Sequence, residues 1–138
     1  MIIDAKDMIL GRMCTFAAKQ GLQGNQIDIV NAEQAVITGS RENVLAKYFH
    51  RLTERGTPRW GPFFYKKENL FVKRVIRGML PYKQPKGKKA VKLIKCHIGI
   101  PAEFAGKKFE TLKFADIANS KTTKFITVQE VCKMMGRR

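Results

Sequence analysis

The stretch KKENLFVKRVIRGMLPYKQPKGKKAVKLIK, Lys66–Lys95, carries eleven Lys or Arg against one acid, Glu68. Its first half reads as an amphipathic helix over about 70–80. On a 3.6-residue wheel Phe71, Val72, Val75, Ile76 and Met79 share one side, and Lys73, Arg74 and Arg77 lie opposite. Gly78 and Pro81 close that helix, because glycine weakens the last turn and proline cannot extend it. Six lysines follow: Lys83, Lys86, Lys88, Lys89, Lys92 and Lys95. An apolar face anchors such a segment to a core while the other face carries a dense positive field, which is what holding a polyphosphate backbone requires. Lys83–Lys89 are expected to be mobile when the protein is alone, since like charges repel and little apolar surface pins them.

On the N-terminal side, Met1–Asp4 reads as a short buried strand. Asp7 is placed to cap a helix from about Ile9 to Leu22, with Leu10, Met13, Cys14 and Ala17 at helical spacing and Gly21 and Gly24 at its end. Gln26–Asn31 and Ala35–Thr38 read as extended pieces. A second helix starts after Ser40, burying Val44, Leu45, Tyr48, Phe49 and Leu52. Arg55–Lys67 is a loop, because two Gly and two Pro prevent regular structure there. On the C-terminal side, Lys92–Ile100 contains a strand and Pro101–Asn119 is mostly irregular. Lys124–Ile126 forms a last short strand. Thr127-Val-Gln-Glu130 fits a capping box opening a final helix with Val128, Val131, Cys132 and Met135 apolar, ended by Gly136 and followed by the basic tail Arg137-Arg138. Strands alternating with longer helices predict an α/β fold with a small parallel or mixed sheet covered on both faces. With 138 residues, 44% of them hydrophobic, the chain is expected to form one domain, 1–138, with a real core.

The net charge of +16 is unevenly placed: residues 1–40 sum to −1 and residues 41–95 to +13. The first part therefore reads as scaffold and 55–95 as the binding segment. Self-repulsion on this scale opposes compaction, so it argues for a polyanionic partner. Cys14, Cys96 and Cys132 are far apart and form no CxxC pair, which argues against a zinc knuckle or redox pair and for reduced, buried thiols. No apolar run approaches the roughly twenty residues of a membrane span, and MIIDAKD does not read as a signal peptide. A soluble, intracellular protein is expected, without cofactor or metal.

Catalytic constellations are weak. Gly99–Lys108 (GIPAEFAGKK) departs from a P-loop, with six residues between its glycines instead of four and Lys108 where Ser or Thr would hold magnesium. Asp4, Asp7, Asp28 and Glu33 read as caps and strand-end groups, and neither His50 nor His97 has a second ligand at metal spacing. The loop offers Trp60, Phe63, Phe64 and Tyr65 among cations, able either to stack on unpaired bases or to plug the core. Trp60 is retained as a nucleic-acid contact, with Phe63 and Phe64 assigned inward. The candidate binding residues are Arg55, Arg59, Trp60, Lys66 and Lys67 from the loop, Lys73, Arg74 and Arg77 from the helix, and Lys83, Lys86, Lys88, Lys89 and Lys92 from the lysine run. The arginines rank highest because a guanidinium grips phosphate bidentately. An RNA-processing or RNA-modifying enzyme on the same scaffold is the alternative. A peripheral membrane protein fits less well, since the cations lie partly in loops and no basic helix shows a lipid-inserting aromatic face.

Arg77-Gly78-Met79-Leu80-Pro81, preceded by Arg74-Val75-Ile76, resembles the signature of the ribosomal protein L-thirteen family of the large subunit. In chain order, Asp4-Ala5 with Leu10-Gly11-Arg12 is similar to the family's opening, and Val30-Asn31-Ala32-Glu33 with Ile37-Thr38-Gly39 to its next strand and turn. Gly99-Ile100-Pro101 and the short C-terminus resemble the archaeal type. Val75-Ile76 stands where many members carry Ala-Val, a mild change on the apolar face. This resemblance, spanning Asp4 to Pro101, implies a three-layer α/β/α fold, a cytoplasmic place in the large ribosomal subunit and direct binding to its ribosomal RNA. It also implies neighbouring large-subunit proteins as partners, a part in subunit assembly, and no catalytic residues or small-molecule substrate.

Overall fold

A computed structural model of the chain describes residues 1–57 and 59–136. In chain order its elements are β1 (Ile2–Asp4), α1 (Leu10–Leu22), β2 (Ile27–Val30), β3 (Val36–Thr38), α2 (Arg41–Thr53), α3 (Glu68–Gly78), α4 (Pro85–Leu93), β4 (Ile94–Cys96), β5 (Phe125–Thr127) and α5 (Val128–Met134). β1, β2 and β4 form a parallel sheet in the order β1-β2-β4, with Ile3 opposite Ile29 and Ile27 opposite Ile94. Parallel strands need crossovers that lay helices on the sheet, so the central strand β2 is buried along its whole length. β3 and β5 pair antiparallel, Ile37 opposite Ile126. The α/β class is thus what the sequence pattern predicts, and the one small parallel or mixed sheet expected is divided into a three-stranded parallel sheet and a two-stranded antiparallel one.

α1 packs against α3 and α4 over the parallel sheet. The approach is close: a Cβ built on Gly21 would lie 2.8 Å from Ile94 Cδ1. Side chains alternate along strands, so Asp28 faces away from Ile27 and Ile29. There its carboxylate lies 3.2 Å from His97 Nε2, and Phe104 meets the His97 ring edge-on at 5.4 Å. Glu110 pairs with β1 through Asp4 N and Ile2 O, covering that sheet edge. The core runs from Ile3 in β1 through Met13, Ile29, Val72, Ile76 and Ile94 to Val131 and Met135 at the C-terminal end.

Several expectations need correction. Asp7 does not cap α1; it sits in a left-handed turn at φ 57°, and Ile9 holds the cap position with no side-chain bond. Phe49 and Met79 are exposed, and Leu80 takes the core place assigned to Met79, because the chain leaves α3 at Gly78 and turns. The segment 101–119 is mostly irregular, as expected, with two short 3₁₀ turns at Ala102–Phe104 and Ile117–Asn119, and it buries Phe104, Leu112 and Ala115. The Thr127 hydroxyl does cap α5 by accepting from Glu130 N at 3.3 Å, while the Glu130 carboxylate lies 3.5 Å from Arg41 instead of closing the box. Arg137 and Arg138 lie outside the described residues.

Candidate nucleic-acid interface

α3 supplies the centre of the site. Its inner face is Phe71, Val72 and Ile76, all buried. Leu70, Lys73, Arg74 and Arg77 fall at i, i+3, i+4 and i+7 and share the outer face. Glu68, the acid expected to offset them, is fully buried in the first turn, where the helix dipole favours a carboxylate. Its charge is therefore turned inward and the outer face stays cationic.

The lysine run is not an unpinned segment. Pro85 opens α4 at a position where its missing N–H costs nothing, and Gly87 and Ala90 are the buried contacts. A Cβ on Gly87 would stand 2.1 Å from the Pro81 carbonyl oxygen, so only glycine lets α4 seat against the turn that ends α3. Lys86, Lys88, Lys89 and Lys92 are consequently displayed from one ordered helix, with Lys83 in the preceding turn, all exposed. α3 and α4 together form a wall bearing seven of the thirteen candidate residues.

The loop splits into two parts. Thr57 and Gly61 exchange two backbone hydrogen bonds, closing a tight turn from which Trp60 projects 84% exposed. Arg55 and Arg59 are exposed beside it. Phe63, assigned to the core, is 63% exposed, because the turn carries it outward; Phe64 is half-buried. Arg74 ties this part down: its Nη1 donates to the Phe63 carbonyl and its guanidinium stands 4.5 Å from the Phe64 ring centroid and 5.8 Å from that of Tyr65. Arg77 lies 5.3 Å from the Tyr82 ring centroid. Thus Arg74, ranked with Arg77 among the highest as a phosphate grip, spends part of its bonding capacity on the protein, whereas Arg77 is exposed.

Two grooves flank the tied loop. One, about 280 Å³, is lined by Tyr65, Leu70, Lys73, Arg74, Arg77 and Val91. The other, also about 280 Å³, includes Arg55, Lys66, Phe63 and Phe64. Tyr65 was read in the sequence only as one of four loop aromatics able to stack or to plug the core, and Leu70 and Val91 were not singled out. The signal for Leu70 was its i, i+3, i+4, i+7 spacing to the three cations.

Two of the N-terminal acids are occupied structurally. Asp4 accepts from Asn31 Nδ2 at 2.9 Å and Glu33 from Gly99 N at 3.0 Å. Burial pushes the Cys96 thiol up to about 12 from an ordinary 9.0, against the pull of Lys73 and helped by Asp28. Burial likewise raises Cys14, with Cys96 adding to it. Both thiols are neutral at physiological pH and so poor nucleophiles. Among the described residues no three His, Cys, Asp or Glu side chains gather to hold a metal ion, and no helix is long and apolar enough to cross a membrane.

Comparison with known proteins follows the same line. Residues 1–103 match the family model for ribosomal protein L13. A protein of Methanosarcina barkeri named large ribosomal subunit protein uL13 is 42% identical, covering 99% of this chain and 98% of its own length. One of the same name from Archaeoglobus fulgidus is 39% identical over 99% of this chain and 88% of its own, and one from Methanococcoides burtonii 36% identical over 99% and 98%. The alternative of an RNA-processing enzyme falls with these matches, and the chain belongs to the ribosomal protein L13 family, whose members are structural proteins of the ribosome and not enzymes.

Proposed function

We propose that this protein is a structural constituent of the large ribosomal subunit in the cytoplasm, binding its ribosomal RNA and supporting subunit assembly next to other large-subunit proteins. The whole chain acts as one RNA-binding domain, with 55–95 as its contact segment. The observation that carries this reading is the α3–α4 wall, which displays Lys73, Arg74, Arg77, Lys86, Lys88, Lys89 and Lys92 while burying the segment's one acid. Arg55, Arg59, Trp60, Lys66, Lys67 and Lys83 extend the contact along the flanking loop and turn.

RNA helices repel each other through their phosphates. A rigid two-helix wall of cations neutralises phosphates from more than one segment and lets those segments approach, a physical route to promoting assembly. Because α4 is seated on the Pro81 turn, its lysines are held in register with α3, and less ordering entropy is lost on binding than a free run would lose.

With six or more phosphate contacts, affinity for large-subunit RNA falls by roughly a thousandfold or more between about 50 and 200 mM salt. Filter binding across a salt series measures this. A nearly flat response would overturn the proposal.

A further inference from the structure

The groove between α3 and α4 has properties that phosphate neutralisation does not require. Leu70, Lys73, Arg74 and Arg77 line it from one face of α3, Val91 from α4 and Tyr65 from the segment before α3. Half of this lining is apolar or aromatic, half is cationic, and none of it is acidic. A phosphate gains from the cations but nothing from Leu70, Val91 or the Tyr65 ring. An unpaired nucleotide satisfies both halves, because its base has an apolar π-face and its phosphate carries the charge. The volume of about 280 Å³ is just below the roughly 300–1,000 Å³ of drug-sized ligand sites, so it suits a single base.

The groove is also set before any ligand arrives. Arg74 is fixed by the Phe63 carbonyl and by the Phe64 and Tyr65 rings, and this ties the segment that supplies Tyr65 to α3. The other wall is set by Gly87, whose close seat on the Pro81 turn fixes the approach of α4 and hence of Val91. Preorganisation of this kind lowers the entropy lost on binding.

We infer that this groove receives a single unstacked nucleotide of the RNA, its base against Tyr65, Leu70 and Val91 and its phosphate toward Lys73 and Arg77. The site presupposes the RNA-binding role proposed above and adds the state of the RNA: a bulged or looped nucleotide, not continuous duplex.

The test uses the full chain and three probes: a blunt RNA duplex, the same duplex with one bulged 2-aminopurine, and adenosine monophosphate. The bulged duplex binds about tenfold more tightly than the blunt one at equal salt, and the fluorescence of its 2-aminopurine changes on binding. Tyr65→Ser and Leu70→Ser, both at exposed positions, each reduce that preference and the fluorescence change while leaving blunt-duplex affinity in place, which also reports that the variants are folded. Equal affinity for the two duplexes, with ordinary salt dependence, overturns the nucleotide site and leaves the RNA-binding role standing. Failure to bind either duplex overturns both. Saturable binding of adenosine monophosphate without preference for the bulge also overturns it, in favour of a free nucleotide.

Discussion

Arg74 donates to the Phe63 carbonyl and lies over the Phe64 ring, so its removal takes away fold as well as charge. A charged hydrogen bond contributes about 1.5–3 kcal/mol and an exposed cation–π contact about 0.5–1. Arg74→Ala is expected to destabilise by about 2 kcal/mol and Arg77→Ala by no more than about 0.5. Urea unfolding at constant m-value reads both. Equal losses would show that Arg74 does not anchor the loop. The charge of Arg74 was legible in the sequence, but its anchoring role was not, since the acceptor is a backbone carbonyl eleven residues earlier whose direction depends on the whole loop. The thiols allow a second check. The neutral form of Cys14 and Cys96 is favoured by burial, so both resist a thiol reagent at about pH 8 until the chain is unfolded. The sign follows from the raised values. This stabilisation is fully present below the ordinary 9.0 and is lost as pH climbs toward about 12. Unfolding free energy therefore falls through that alkaline window. Rapid labelling of the native protein at neutral pH would contradict the burial of both groups.

At the scale of elements, two helical glycines make opposite predictions. Gly87→Ala drives a Cβ into the Pro81 carbonyl, where backbone and not a flexible side chain must yield, at a cost of about 1–3 kcal/mol. Gly78→Ala meets nothing within 4 Å at the end of α3 and stabilises by about 0.4–1 kcal/mol through the unfolded chain. Thermal unfolding of the pair decides whether α4 is seated as described; a neutral Gly87→Ala would deny it. The same position explains what the sequence did not reveal. The periodicity of α1 and α3 was legible because large apolar residues mark their inner faces. The inner face of α4 is Gly87 and Ala90, which hydrophobic spacing does not register, so charge repulsion dominated the reading. The α5 cap was legible, since Thr127 acts within its own turn. The supposed Asp7 cap failed because the backbone there adopts a left-handed turn that no spacing rule marks.

For the molecule as a whole, the proposed division between scaffold and binding surface rests on charge: −1 over residues 1–40 and +13 over 41–95. The alternation of strands and helices gave the α/β class. The pairing of β3 with β5 and of Glu110 with β1 was not legible, because those contacts join segments roughly ninety or more residues apart through backbone groups. If the α3–α4 wall neutralises phosphates, replacing Lys88 and Lys92 by Gln lowers the steepness of log affinity against log salt by about two and leaves the circular dichroism unchanged. An unchanged slope would place the contacts elsewhere. The ribosomal role is tested most directly by sedimenting a lysate of the source cells through sucrose gradients at low and moderate salt and following this protein. It is expected to migrate with the large subunit and to remain there in moderate salt. Recovery at the top of the gradient under both conditions would contradict its place in the subunit.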